Sequence, residues 1–161
     1  MHVIHPVAGE LVTIPEPREF CLFSLWFLAA IFVPLDVWLH AQDARALLAA
    51  GDSAERWRAG RPLGLLDGIP CTVKDLIDIA GLPTRKGSRT TDPAKAETDA
   101  PLVRNLKAAG ATIVGKTTTP EFGWKTPGDC PLHGITRNPR DRAYTPGGSS
   151  SGAAAAAAAN F

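Results

Sequence analysis

A chain of 161 residues with 45% hydrophobic and 20% charged residues has the composition of a folded domain, which argues against a disordered protein. The 17 Lys and Arg residues balance 16 Asp and Glu residues, so a net charge of +1 gives no basic surface for nucleic acids or anionic membranes. Three cysteines without a C-x-x-C pair and four scattered histidines argue against a disulfide scaffold or a metal site, and favour a reducing, cytoplasmic compartment.

The first 40 residues differ from the remainder, and we predict that they form an N-terminal arm followed by an apolar helix. Residues 1–19 contain three prolines, which favour an irregular arm. Residues 20–35 are nearly all apolar, but this segment of 16 residues is shorter than the roughly 20 that span a bilayer. Three interpretations of residues 20–35 stay open: a buried core helix, which we favour, a membrane anchor or signal, or a segment foreign to the chain.

Residues 41–161 alternate between helical and strand-like patterns, which is typical of an α/β domain. The first predicted helix covers residues 41–50 and ends at Gly51, since glycine commonly ends a helix. Asp52 and Ser53 are then predicted to cap a second short helix, because both side chains can accept hydrogen bonds from free backbone N–H groups.

Two predicted strands frame the middle of this region. The first covers residues 71–73 and leads to Lys74, and the second covers residues 111–114 by its β-branched content. Between them, Thr98 and Asp99 are predicted to cap a helix that ends at a glycine. The predicted apolar face of that helix consists of Leu102, Val103, Leu106 and Ala109.

The C-terminal part combines a long loop with a short helix. A polar loop is predicted from Gly115, and from residue 120 to residue 146 the chain is predicted to be mostly loop because it contains five prolines. A loop of this length inside a compact domain is usually functional. The segment Gly147–Gly152 then opens into seven alanines, which favour a helix whose amino end points free N–H groups at the serines.

Lys74 and the serines at 149–151 are the candidate chemical groups. A lysine at the end of an apolar strand is partly desolvated, which lowers its pKa and makes it a competent base for a hydroxyl. The plainer alternatives are an exposed lysine paired with an acid, a serine that caps the alanine helix, and a phosphate cradle. The phosphate cradle is disfavoured because no lysine follows Gly152, as the nucleotide-binding pattern requires.

The motifs resemble those of the amidase-signature hydrolases in their order and in their residues. The resemblance covers well over half of the chain. The matching segments are residues 62–64, 67–75, 81–84, 112–123, 134–139 and 146–152. The resemblance implies an α/β fold with a mixed central sheet covered by helices. This chain would carry the N-terminal part of that fold in residues 41–161.

The same resemblance implies that a small-molecule carboxylic amide is cleaved by a Ser–Ser–Lys triad, without metal or cofactor. It assigns Lys74 as the base and Ser149 as the bridging serine, with the Gly148–Ser149 peptide bond in the cis form. Ser150, Gly147 and Gly148 are expected to support the bridging serine. The residues expected to line the acyl pocket are Gly123 and Trp124.

The family's nucleophile lies about two dozen residues beyond the bridging serine, in a stretch that also supplies the oxyanion hole. This sequence stops at Phe161. We therefore expect a fragment or truncated product that lacks the nucleophile and has no amide turnover by itself. A further departure is Ser151, which stands where the family usually has glycine.

Two other functions are weighed against a stand-alone amidase. One is the glutaminase-type subunit of a tRNA-dependent amidotransferase, which would need partner subunits. The sequence of residues 121–125, EFGWK, favours the stand-alone enzymes. The other is a non-catalytic remnant that binds a partner or attaches to a membrane through residues 20–35. An incomplete sheet would also expose apolar edges that favour aggregation or pairing, for example as a homodimer.

Overall fold

The computed structural model describes residues 43–159 continuously, together with three short strands before them. Most of the predicted arm, and all of residues 20–35, lie outside the described residues, so the interpretations of that segment stay predictions. None of the helices in the described part of the chain is long and apolar enough to cross a membrane.

Seven strands and three α-helices are present in the described residues. In chain order they are β1 (His2–Ile4), β2 (Leu11–Thr13), β3 (Trp38–Leu39), α1 (Asp43–Arg58), β4 (Pro70–Lys74), α2 (Pro101–Ala108), β5 (Thr112–Thr117), β6 (Asp129–Cys130), β7 (Gly134–Ile135) and α3 (Ser151–Ala158). A single turn of 3₁₀ helix covers Glu121–Gly123.

The sheet that positions the site has the order β3-β5-β4. β4 and β5 are parallel and β3 is antiparallel to β5, while β1–β2 and β6–β7 form separate antiparallel pairs. The register places Lys74 beside Thr117 and Val73 beside Lys116. Because parallel strands end at the same edge, side chains that follow β4 and β5 are brought together there. This mixed sheet with its helices confirms the predicted α/β class.

α1 runs without interruption through Gly51, so the predicted helix end there is wrong, as is the predicted cap at Asp52 and Ser53. A glycine inside a helix costs about 1 kcal/mol relative to alanine. Burial of one helix face offsets this cost, and Ser53 is buried as part of that face. The alanines buried with it are four residues apart: Ala46, Ala50 and Ala54.

α2 starts as predicted with proline in its first turn, but its predicted capping side chains do not cap it. Ala100 occupies the N-cap position, and no side chain donates or accepts a capping hydrogen bond. The Asp99 carboxylate instead accepts hydrogen bonds from the Ala80 backbone N–H at 2.8 Å and from Lys107 Nζ at 2.7 Å. Asp99 therefore ties α2 to the loop after β4 rather than to its own first turn.

The apolar core packs against one face of the β4–β5 pair. It is centred on Val73, Ile79 and Val103, with Ile77, Leu82 and Ile113 packed around it. Leu102, which was predicted to face this core, is 53% exposed. Side chains alternate across a strand, so with Val73 in the core, the neighbouring Lys74 side chain leaves β4 on the opposite face.

The C-terminal predictions are confirmed with one correction. β5 continues to Thr117, so the polar loop starts three residues later than predicted. Lys116 and Thr117 are polar but fully buried, because both are paired with β4 inside the sheet. Residues 120–146 are mostly loop, interrupted by the 3₁₀ turn and the β6–β7 hairpin, and the alanines form α3.

Candidate active site

The carboxyl end of β4 and the segment before α3 bring Lys74 and two serines together. Lys74 Nζ donates a hydrogen bond to Ser149 Oγ at 2.7 Å and lies 3.2 Å from Ser150 Oγ. These contacts join residues about 75 positions apart in the sequence. The described hydrogen bonds of the Lys74 amine therefore go to hydroxyls, and the neighbouring Asp75 pairs with Lys116 instead.

Burial lowers the pKa of Lys74 below the ordinary value of a lysine. The cause is loss of hydration, which disfavours the charged ammonium form more than the neutral amine. A lower pKa increases the fraction of neutral amine near pH 7. A neutral amine next to a serine hydroxyl can accept its proton, which is the chemistry of a general base.

Ser149 is held by its main chain as well as by Lys74. The Gly148–Ser149 peptide bond is cis, at the position where the resemblance placed one. Thr119 Oγ1 donates a hydrogen bond to the Ser149 carbonyl oxygen at 3.0 Å. At Gly148, a Cβ atom would lie only 2.6 Å from the Thr126 carbonyl oxygen, and Gly147 has a positive φ of 82°. Both glycines are thus required by the local backbone.

The serines that follow have different surroundings. Ser150 occupies the N-cap position of α3, but its hydroxyl makes no capping hydrogen bond and faces Lys74 instead. Ser151 is completely buried, and its hydroxyl donates to the Thr118 carbonyl at 3.5 Å. α3 packs closely on the residues that follow β5, and this packing requires Gly152, because a Cβ atom there would clash with the Thr118 backbone nitrogen.

The two predicted pocket residues behave differently. Gly123 borders the site, because a Cβ atom there would lie 3.8 Å from Ser149 Oγ and 2.9 Å from Leu76 Cδ1. Its positive φ of 72° also favours glycine. The Trp124 side chain is 87% exposed, so it lies at the surface rather than packed against the serines. The role of Trp124 in a pocket stays a prediction.

The contacts that hold the loop with Gly123 in place could not be predicted from the sequence. Phe122 and Lys86 both have positive φ, at 49° and 53°, and the Phe122 N–H donates to the Lys86 carbonyl at 2.8 Å. Ser88 Oγ, which is fully buried, donates to Glu121 Oε1 at 2.7 Å. Left-handed backbone at non-glycine residues is strained and concentrates near functional sites. No local pattern in the sequence reveals such a contact between two loops.

In the described residues, no group of three or more His, Cys, Asp or Glu side chains is arranged to hold a metal ion. Cys71 lies on β4, three residues before Lys74, and burial raises the pKa of its thiol. A raised pKa keeps this thiol protonated and weakly nucleophilic. The nucleophilic groups that the geometry offers near Lys74 are therefore hydroxyls.

Proteins with similar sequences include an amide-cleaving enzyme and an amidotransferase subunit. A model of the amidase family matches residues 34–161. The indoleacetamide hydrolase of Bradyrhizobium diazoefficiens is 47% identical over 117 residues, which is 72% of this chain and 22% of that protein. A glutamyl-tRNA(Gln) amidotransferase subunit of Chloroflexus aurantiacus is 40% identical over 152 residues, which is 94% of this chain and 30% of that protein.

Solved structures of a peptide amidase and of a cyclic dimer hydrolase are also similar to this chain. The peptide amidase of Stenotrophomonas maltophilia superposes with a TM-score of 0.74 at 34% identity, covering 91% of this chain and 31% of that one. The 6-aminohexanoate cyclic dimer hydrolase superposes with a TM-score of 0.67 at 28% identity, covering 90% and 29%. The chain thus spans between 22% and 31% of the length of these four proteins.

Proposed function

Because the chain belongs to the amidase family, we propose that Lys74 and Ser149 form part of a site that hydrolyses a carboxylic amide to an acid and an amine or ammonia. Lys74 is the base, Ser149 carries protons between Lys74 and a nucleophilic serine, and Ser150 supports the pair. The observation that carries the proposal is the 2.7 Å contact between Lys74 Nζ and Ser149 Oγ.

The proposed reaction moves a proton in both directions along this contact. The nucleophilic serine attacks the carbonyl carbon and gives its proton to Ser149, while Ser149 gives its own proton to neutral Lys74. As the C–N bond breaks, the proton returns through Ser149 to the departing nitrogen, which leaves an acyl–serine ester. Water, deprotonated along the same route, then hydrolyses the ester and releases the acid.

The nucleophile that the resemblance calls for is not among residues 1–161. We therefore propose that a polypeptide of these residues alone has no amide turnover, because the oxyanion hole that accompanies that serine is worth about 10²–10³ in rate by itself. A test of the base and the bridging serine has to supply the third serine from a relative. The indoleacetamide hydrolase is suited to this purpose, since it is 47% identical over 117 residues.

The test is a chimera in which the matching segment of that hydrolase is replaced by this chain's residues. Lys74→Ala in the chimera is expected to lower kcat for indoleacetamide by about 10²–10⁴, the range of a lost general base. Lys107→Ala is the matched control, since Lys107 is 43% exposed and pairs with Asp99 away from the site. An active chimera in which Lys74→Ala keeps more than a third of the rate would contradict the proposal and favour a non-catalytic remnant.

The second candidate is the glutaminase-type subunit of a glutamyl-tRNA(Gln) amidotransferase. The observation that favours it is the coverage of 94% of this chain, against 72% for the indoleacetamide hydrolase. This alternative predicts that the tagged chain, expressed in its native host, co-purifies in fixed ratio with other amidotransferase subunits. A stand-alone amidase would be recovered without them.

A further inference from the structure

A buried ion pair lies immediately after the proposed base and is not used in the reaction described above. Lys116 Nζ is 2.7 Å from Asp75 Oδ1, and the two side chains are 0% and 1% exposed. The remaining donors of Lys116 go to the Pro83 carbonyl at 2.8 Å and to Thr84 Oγ1 at 2.7 Å. Two ammonium protons therefore donate hydrogen bonds, and the ion pair with Asp75 is a third contact that restricts the amine.

The carboxylate of Asp75 is less completely satisfied. Its Oδ1 also accepts the Arg85 backbone N–H at 3.3 Å, whereas its Oδ2 is buried without a hydrogen-bond partner among the described residues. A buried carboxylate with one bare oxygen depends on its cationic partner, and replacing such a pair by apolar side chains is often neutral or stabilising. Stability alone is thus a weak reason for this pair to be present.

The pair fixes the backbone from which Lys74 projects. The Asp75 N–H donates to the Thr117 carbonyl at 3.0 Å, and the Asp75 carbonyl accepts the Lys86 N–H at 3.1 Å. With its side chain bound to Lys116 as well, Asp75 is held at three points directly after Lys74. Asp75 directly follows the last residue of β4, so fixing Asp75 also fixes the direction in which the Lys74 side chain leaves the strand towards Ser149.

We propose that Asp75 and Lys116 are positioning residues for Lys74: together they hold the end of β4 so that the Lys74 amine meets Ser149, and as a pair they add no net charge next to it. This inference rests on the proposed role of Lys74 as a base. A base must shed its proton, and an unpaired charge next to it would change how readily it does so.

The two members of the pair give predictions of opposite sign for Lys74, because each single change leaves one buried charge unbalanced, whereas a change that only loosened the end of β4 would shift Lys74 in the same direction for both variants. Asp75→Asn leaves the Lys116 cation unbalanced, which disfavours a second cation at Lys74. Lys116→Met leaves the Asp75 anion unbalanced, which favours the charged form of Lys74. The double variant is neutral again. The other ionisable side chains on elements adjoining the site are the same in all three variants: Cys71 on β4, Asp78, Arg85 and Lys86 in the loop after it, and Glu121 and Lys125 at the 3₁₀ turn.

The experiment measures acetylation of individual lysines by limiting acetic anhydride from pH 6 to 11 in the 161-residue chain, read by mass spectrometry. Only the neutral amine reacts, so a pKa change of about one unit changes the rate about tenfold below the pKa. We expect Lys74 to react about tenfold faster in Asp75→Asn, about tenfold slower in Lys116→Met, and within about threefold of the parent in the double variant. Single variants that change Lys74 in the same direction, or not at all, would overturn the proposal.

Two controls keep this outcome interpretable. Asp129→Asn and Lys125→Met make the same charge changes in an exposed pair, whose side chains are 41% and 45% exposed, and are expected to leave Lys74 within about twofold because solvent screens them. If a single variant has lost its helical circular dichroism, the labelling is repeated in trimethylamine N-oxide, which favours the compact state. Labelling requires no amide turnover, so failure of the chimera and failure of this inference are separate results.

Discussion

A lysine is useful as a base only when it loses its proton, and the surroundings of Lys74 favour that loss. Burial lowers its pKa, and its described hydrogen bonds go to neutral hydroxyls rather than to a carboxylate. A neighbouring carboxylate would have raised the pKa and kept the amine protonated. The sequence places Asp75 next to Lys74, but Asp75 lies in the turn after β4 and its side chain pairs with Lys116.

The two serines in contact with Lys74 are expected to differ in importance. In the chimera, Ser149→Ala removes the hydroxyl at 2.7 Å and should lower kcat by about 10²–10⁴, as for loss of a proton-transfer group. Ser150→Ala removes the exposed, more distant hydroxyl at 3.2 Å and should lower kcat by less than about tenfold. Steady-state kinetics with indoleacetamide measure both, and equal losses would show that the bridging role is assigned to the wrong serine.

At the scale of elements, the sequence predicts strands and helices where the local pattern is strong and misses those set by tertiary contacts. β4, α2 and α3 follow from β-branched residues, a first-turn proline and an alanine run. Gly51 lies inside α1 because another face of that helix is buried in the fold. The Asp99 carboxylate binds a neighbouring loop instead of capping α2. Neither contact is encoded by residues nearby in the sequence.

The contact between α3 and the loop before β6 explains how Ser151 fits where the family usually has glycine. A Cβ atom at Gly128 would lie 2.8 Å from the Ser151 Cβ and 3.3 Å from the Gly147 carbonyl oxygen. Space for one side chain is available, and Ser151 occupies it. A side chain at 128 would push against the segment that carries Ser149, since Gly147 lies on it.

Gly128→Ala is therefore expected to destabilise the chain by about 1–3 kcal/mol through overpacking. Ser151→Gly in the same chain should recover at least about 1 kcal/mol, because it removes the atom that clashes. Urea unfolding at pH 7 measures both. The control is Gly51→Ala, which meets no atom within 4 Å and should stabilise α1 by about 0.5–1 kcal/mol. Strictly additive effects of the Gly128 and Ser151 changes would contradict this packing.

Over the whole molecule, Asp67 joins the parts that surround the sheet. Its carboxylate accepts two hydrogen bonds from Arg56 on α1, at 2.6 and 2.9 Å, and one from the Leu63 backbone N–H at 2.9 Å. Its backbone approaches the end of α2 so closely that a Cβ atom at Gly110 would lie 2.6 Å from Asp67 Cα. The hydrogen bonds from Arg56 lower the pKa of Asp67 to about 2, against the opposing effect of burial.

This carboxylate makes stability depend on pH with a definite sign. Since its pKa is lower in the folded chain, its contribution is fully present above the ordinary value of 3.8 and is lost as the pH falls through about 2. The difference corresponds to roughly 2 kcal/mol. Asp67→Asn should remove about that amount at pH 7, and the two proteins should converge towards pH 2.

Urea unfolding at pH 7, 4 and 2 tests this expectation. Asp129→Asn is the control, since the exposed Lys125–Asp129 pair should contribute less than about 1 kcal/mol at any pH. A constant difference between Asp67→Asn and the parent across this range would contradict the assigned role of the carboxylate.

The candidate site was partly predictable from the sequence. Lys74 and the serines could be singled out because a lysine after an apolar strand and a Gly-Gly-Ser segment before a helix each suggest chemistry, and their order resembles one family. The buried Asp75–Lys116 pair and the contact of Phe122 with Lys86 could not, because each joins segments that are far apart in the chain. The resemblance predicts that the loop around Gly123 and Trp124 lines the pocket, yet the Trp124 side chain is exposed.

Lys74 is proposed to act on the nucleophile through Ser149, and a double-mutant cycle in the chimera is the sharpest test of this relay. Groups that act as one relay lose their effect together, so removing the second costs little once the first is gone. We expect Lys74→Ala/Ser149→Ala to have a kcat within about threefold of the slower single variant. Losses that multiply, each by about 10² or more, would show that the two residues act independently and that Ser149 is not the bridge.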